Sequence, residues 1–367
     1  MQSVGSRFYR KGLYMTNRLK KVLALLLIMC SMLVFTACGD AKVVLTTGLG
    51  TNEVFKIGKE RADRTEFLIY LTNIANQYEQ IYGEELWSLQ EEDGTTMLDK
   101  CKNMALAQLA QVKAMKLLAE ENEVTLTDEE EALALAAAGQ YLVTLSAAEK
   151  EALGIGEDDV VGELYCEKLL ADKLYAFLIR DVNPEISDDE ARIITVQHIL
   201  LKTYTTDENG NHVEMDAYAC SKVLQKAEEI RSEALDGESF DTLISMYSED
   251  SKSTYSFGLG DMEEAFEKAA YALAKDEISA VVRTSHGYHI IKCISTLDRE
   301  QTDLNKEKLL VSRKQEVFGD TYNQFVAELK KQENTELIDA LTLLDSSVVD
   351  TTEFFSIYES ELDGMFE

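Results

Sequence analysis

The chain holds four histidines, and all fall in one stretch: His198, His212, His286 and His289. Imidazole titrates nearest neutrality, so it can shuttle protons, bind metals or relay hydrogen bonds. His198 lies within Ile193–Leu201, a run rich in β-branched residues that reads as a strand. His286 and His289 sit at the junction of two further predicted strands, Ala280–Thr284 and Tyr288–Ile294. His212 follows the Asn209-Gly210 turn signal and reads as a solvated loop residue. A lone strand histidine is more often a satisfied core residue than a functional one. If the first and last strands are neighbours, however, His198 and His289 meet. A metal site from His198, His286 and His289 is disfavoured, because the last two flank a turn and no acidic ligand is placed by spacing. The spacing implies no metal.

These histidines need a frame. Pro184 keeps the residue before it out of a helix, and Ser187-Asp188-Asp189-Glu190 then forms a capping box, so a domain begins near 185. Val223, Ala227, Ile230 and Ala234 make one helical stripe, ended by Gly237, and Phe240, Leu243, Ile244 and Tyr247 make a second. After a Gly-containing loop comes a third short helix near Met262–Leu273. Strand, helices, strand-like loop, helix, strand, strand describes a compact α+β module with helices on a small sheet. Upstream, 61–181 is helical: Phe67, Tyr70, Leu71, Ile74 and Tyr78 keep three- and four-residue spacing, and Leu164, Leu170, Leu174, Phe177 and Leu178 mark another helix. Acidic breaks at Glu120-Glu121-Asn122-Glu123 and Glu157-Asp158-Asp159 read as solvated, since neither forms an EF-hand loop. Downstream, Leu304–Leu344 reads as one or two long amphipathic helices that need another surface to cover. The helices of 61–181 offer one, which makes the α+β module an insertion. The expected segments are a signal peptide 1–37, a tether 38–60 with one strand near Val54–Ile57, a helical domain 61–184, the module 185–297, a C-terminal helix 298–345 and an acidic tail 346–367, mobile or lightly docked.

The whole chain has 367 residues, which suits two or three domains. Its 46% hydrophobic residues exclude global disorder, and 19 glycines with one proline exclude collagen-like material. With 36 basic against 67 acidic residues the net charge is −31, so nucleic acid is not an expected partner. The N-terminus is the exception. Arg7, Arg10, Lys11, Arg18, Lys20 and Lys21 precede an apolar run, Val22–Phe35, then Thr36-Ala37-Cys38, which reads as a secretory signal. Phe35-Thr36-Ala37-Cys38 resembles the bacterial lipobox, which implies lipidation at Cys38 and an extracytoplasmic, membrane-tethered body; two acyl chains suffice for stable anchoring. Met15 offers a second start that leaves a compact signal. Cys101, Cys166, Cys220 and Cys293 have no C-x-x-C spacing and read as buried small hydrophobes, with disulfides left open.

Val196-Gln197-His198-Ile199-Leu200 and His286-Gly287-Tyr288-His289-Ile290-Ile291 resemble the opening and closing motifs of parvulin-type peptidyl-prolyl isomerases. Phe257 and Gly260-Asp261-Met262-Glu263-Glu264-Ala265-Phe266-Glu267-Lys268-Ala269-Ala270 resemble the family's central stretch, so the likeness spans roughly 190–297. It implies paired histidines His198 and His289, a carboxylate at Asp250, a hydroxyl at Thr284, and an apolar proline pocket of Phe257, Met262 and Phe266. It implies no cofactor. The Gly-Gly-Asp-Leu-Gly stretch common before the Phe257 position is missing, which removes a pocket-wall leucine and tightens the loop bearing Asp250. Helices flanking such a module resemble secreted foldases of the PrsA and SurA type, with Arg61–Leu89, carrying the run Tyr78 to Trp87, similar to the first helix and turn of their chaperone domain.

The expectation is an extracytoplasmic isomerase and foldase whose partners are unfolded or partly folded exported polypeptides containing X–Pro; a homodimer is allowed. The alternative is a non-catalytic holdase with a degenerate parvulin domain. A solute-binding lipoprotein would share the anchor but needs a larger α/β pattern.

Overall fold

The computed structural model describes residues 48–156, 160–207 and 212–366. The signal 1–37, Cys38, the Glu157-Asp158-Asp159 break and the Asn209-Gly210 turn lie outside the described residues. Among the described residues two compact units emerge, one of 48–181 with 317–366 and one of 182–316.

The first unit starts with strands β1 (Glu53–Ile57) and β2 (Glu60–Asp63), then helices α1 (Arg64–Tyr82), α2 (Met97–Glu121), α3 (Asp128–Thr144), α4 (Ala147–Leu153) and α5 (Val160–Ile179). Asp63 caps α1: its side chain accepts from Glu66 N–H while the Glu66 carboxylate accepts from Asp63 N–H. Glu66 does more. The Lys113 ammonium lies 2.6 Å from Glu66 and 2.7 Å from Glu167, all three buried, and Lys116 bridges Glu167 and Glu60. Burial pushes the Glu66 carboxyl up. Burial alone would lower Lys113, but its two carboxylates override it and hold the ammonium charged.

The strand expected near Val54–Ile57 is β1, but it does not stand alone in a tether. Val54, Phe55, Ile57 and Ala62 are buried, and β1 pairs with β2 and with β9 (Lys331–Glu333), giving the helical unit a three-stranded antiparallel sheet. That pairing joins residues far apart in the chain, so it leaves little local mark. It also stops the C-terminal helix: α10 (Arg299–Glu328) ends where β9 begins, and a short α11 (Thr335–Ala340) follows, in place of helix to residue 344. The tail differs as well. Helix α12 (Glu353–Leu362) is docked, with Phe354 fully buried against Tyr70, Tyr141 and Tyr165, and with Asn73 and Asn76 bonding the main chain at Phe354, Val349 and Thr351. No single helix among the described residues is long and apolar enough to cross a membrane.

The second unit is built on β3 (Ile194–Lys202), after a one-turn helix Asp188–Ala191 whose N-cap is Ser187. Beyond β3 come a small hairpin, Tyr204–Thr206 with His212–Glu214, and then helices α7 (Ala217–Leu235) and α8 (Phe240–Tyr247), counting the one-turn helix as α6. The hairpin strands are β4 and β5; β6 (Thr254–Phe257), α9 (Glu264–Tyr271), β7 (Val282–Arg283) and β8 (Gly287–Ser295) complete the unit. The sheet order is β6-β3-β8-β7, antiparallel throughout. Strand alternation divides its residues between two faces. One carries Ile199, Leu201 and Ile290 against Ala227, Ile230, Phe240 and Leu243 of α7 and α8. The other carries Ile194, Val196, Phe257 and Ile291 against Phe266 and Ala270 of α9. His198 belongs to this second face.

Gly287 makes the central pairing possible. It opposes Lys202 with φ 147°, and a Cβ there would lie 2.2 Å from the Leu201 carbonyl oxygen. Only glycine fits.

Candidate active site

The register pairs His198 with Ile291 and Leu200 with His289, so the two histidines are diagonal neighbours on one sheet face. Their rings are nearly parallel, at 14°, with Nδ1 to Nδ1 at 3.1 Å. Beyond them the relay continues in both directions. His198 Nε2 lies 3.0 Å from Asp250 Oδ2, and His289 Nε2 lies 2.7 Å from Thr284 Oγ1. Thr284 Oγ1 accepts in turn from the His286 N–H at 3.1 Å.

One polarity satisfies every atom. Thr284 O–H donates to His289 Nε2, His289 Nδ1–H donates to His198 Nδ1, and His198 Nε2–H donates to an ionised Asp250. Both imidazoles are then neutral. Burial points the same way: it lowers His289 to about 4, helped by the neighbouring His198 and His286, and it lowers His198 as well. Asp250 is held below the usual carboxylate range: burial opposes ionisation, but the Lys252 N–H, the Tyr255 hydroxyl and His198 outweigh it.

The turn bearing Asp250 is pinned to the central strand. Glu249 N–H donates to the Leu200 carbonyl, and Leu200 N–H donates to Ser248 Oγ. On the apolar side, Phe266 meets both imidazoles edge-on, at 5.6 Å from His198 and 5.1 Å from His289, and packs against Phe257 at 5.9 Å. Phe266 and Phe257 are buried in one apolar cluster, and Met262 and Tyr255, only partly covered, pack against it. Helix α9 begins at Glu264, so Met262 precedes the helix instead of standing one turn before Phe266 within it. Glu263, beside Met262, accepts from the Ser285 N–H at 3.0 Å and hydroxyl at 2.6 Å, and these bonds, with nearby His286, keep its carboxyl low.

His198, Asp250, Thr284 and His289 thus converge, with Phe257, Met262 and Phe266 alongside. His212 does not join them; it stacks on Tyr204 at 4.0 Å in the β4–β5 hairpin. His286 points out to Glu263, 3.6 Å away. Among the described residues no three His, Cys, Asp or Glu side chains are grouped to hold a metal ion. Sequence reading missed Tyr255, whose hydroxyl donates to Asp250 Oδ2 at 2.9 Å. The available signal was the alternation Tyr255–Phe257, two inward residues in a short strand.

Residues 198–295 match the family model of the PPIC-type PPIase domain, and residues 14–146 match that of the SurA-like N-terminal domain. The chain is similar to foldase protein PrsA 1 of Listeria monocytogenes, 34% identical over 145 residues, covering 38% of this chain and 47% of the relative. It is also similar to foldase protein PrsA of Caldanaerobacter subterraneus, 27% identical over 295 residues, covering 77% of this chain and 87% of the relative. Its alignment with the first of these relatives thus spans about half of that relative's length, 47%. The crystal structure of peptidylprolyl isomerase PrsA from Bacillus cereus aligns over 74% of this chain and 97% of its own, with 21% identity and a TM-score of 0.34. The chain therefore carries a PPIC-type peptidyl-prolyl isomerase domain together with a SurA-like N-terminal domain.

Proposed function

We propose that this chain is an extracytoplasmic foldase that binds X–Pro segments of exported polypeptides and catalyses their cis–trans isomerisation, tethered to the membrane by lipid on Cys38. The observation that carries the reading is the unbroken relay from Thr284 through His289 and His198 to Asp250, set against the Phe266 ring. The PrsA relatives and the secretory pattern at the N-terminus support the location.

The chemistry needs no nucleophile. Rotation about a peptide bond costs about 18–20 kcal/mol because resonance is lost, and uncatalysed X–Pro exchange takes tens to hundreds of seconds. The planar imide is the more dipolar form, with negative charge on oxygen. The apolar cluster of Phe257 and Phe266, with Met262 packed against it, strips water from a bound imide, and an ionised Asp250 facing the carbonyl disfavours that charge separation. Both effects weigh less on the twisted transition state, so the barrier falls. Neutral imidazoles suit this role: they orient Asp250 and Thr284 without adding a charge that would cancel the carboxylate.

The second reading, a holdase, draws on the short connection between Asp250 and Phe257, which leaves Tyr255 and Met262 partly exposed beside the apolar cluster. Refolding of a client whose slow phase is proline-limited separates the two. Acceleration of that phase by the intact protein, lost in Met262→Ala, is the expected result. Suppressed aggregation with an unchanged slow phase would favour the holdase.

A further inference from the structure

Two donors meet one oxygen of Asp250: the Tyr255 hydroxyl at 2.9 Å and His198 Nε2 at 3.0 Å, both on Oδ2. The other oxygen accepts from the Lys252 N–H at 3.1 Å. Tyr255 reaches this position because β6 pairs it with Val196, two residues before His198 on the same face of β3. Its ring then meets His198 edge-on at 5.2 Å and 82°, and the Lys252 ammonium lies over the ring at 4.5 Å. The tyrosine is therefore locked by a strand, an imidazole and a cation before any substrate arrives.

We propose that Tyr255 is a positioning residue of the isomerase site, its phenol O–H fixing the Asp250 carboxylate as the end of the imidazole relay and aiming it at the imide. This rests on the isomerase reading above. A carboxylate held by three donors cannot rotate without breaking at least one bond. With the phenol gone, Oδ2 keeps only His198 and Oδ1 only the Lys252 N–H, so a side chain that is 22% exposed loses one of its three restraints against turning toward water. The phenol is suited to the task. Burial, then the adjacent Asp250, push its pKa up, so it stays a donor through neutral pH. Such a bond substitutes a side-chain contact from β6 for the length that the Asp250–Phe257 connection lacks.

The test uses the intact protein and a short Ala–Pro peptide, comparing the unsubstituted chain, Tyr255→Phe, Asp250→Asn and the double variant. Phenylalanine keeps the ring against His198 and removes only the hydroxyl. The expected result is a kcat about five- to tenfold lower in Tyr255→Phe with KM little changed. The acid limb of its pH profile should move upward, thermal unfolding should stay near that of the unsubstituted chain, and the double variant should be no slower than Asp250→Asn. Unchanged kcat and pH profile in Tyr255→Phe, or losses that multiply in the double variant, would overturn the positioning role while leaving the isomerase reading intact. If the unsubstituted chain turns over no peptide, the isomerase reading itself fails. The carboxyl titration of Asp250, followed by carbon NMR, then decides the contact: an upward shift in Tyr255→Phe upholds it and an unshifted midpoint overturns it.

Discussion

His198 and His289 face each other through like atoms, Nδ1 to Nδ1 at 3.1 Å. Two imidazoles can share that contact only if one donates and the other accepts, so protonating both rings breaks it. The fold thus refuses protons that the unfolded chain would bind. A free histidine titrates near 6.5, whereas His289 is lowered to about 4. The contribution is complete above about 6.5 and is lost as pH falls toward about 4, because the unfolded state binds the extra proton across that window. For His289 the full loss is on the order of 3 kcal/mol. Urea unfolding at stepped pH checks this: the acid-side slope should be steeper in the unsubstituted protein than in His289→Gln, and equal slopes would contradict it.

Gly287→Ala should strike the same sheet from a different side. The new methyl would collide with the Leu201 carbonyl, and the left-handed φ of 147° adds strain. Backbone offers no rotamer to escape into, so we expect a loss of more than about 2 kcal/mol. Equal melting temperatures for variant and unsubstituted chain would show that β8 can sit elsewhere.

The helical unit makes its own prediction. Lys113→Met removes the cation shared by Glu66 and Glu167 and leaves the buried Glu66 carboxylate without its ion pair, beside a Glu167 still held by Lys116. Breaking such a group from one side typically costs about 3–5 kcal/mol. The variant should recover part of that loss on acidification to near pH 5, as one carboxyl takes a proton; a variant destabilised equally at both pH values would count against the pair.

Phe354→Ala tests the docked tail. Its ring is fully buried among Tyr70, Tyr141 and Tyr165, and truncation of such a ring costs about 3–5 kcal/mol. A change below about 0.5 kcal/mol would mean that residues 349–362 are dispensable to the unit.

The site was legible wherever local pattern and chemistry coincide. His198 and His289 stand in short strands of clear β-branched character, and Thr284 closes the turn before the second, so their meeting follows from two strands pairing. Tyr255 was hidden because Ser251-Lys252-Ser253-Thr254 reads as loop, and only the pairing of β6 with β3 reveals that it faces inward. The same reason explains the first unit. The strand near Val54–Ile57 was legible, but not its partner β9, which arrives from the other end of the chain. The tail is acidic by composition, yet Phe354 and Tyr358 at four-residue spacing put one face of α12 into the core, and Tyr358 there donates to Asp172. Met262 shows how loosely sequence sets a helix start: the helix expected near Met262–Leu273 begins two residues later, at Glu264.

The most direct measurement is magnetisation exchange between the cis and trans forms of a short Xaa–Pro peptide, with catalytic amounts of the intact protein. Uncatalysed exchange is too slow to register on that timescale. Exchange cross-peaks with the unsubstituted protein, absent with Asp250→Asn, are predicted. A spectrum identical to peptide alone, from protein shown to be folded, would contradict the account.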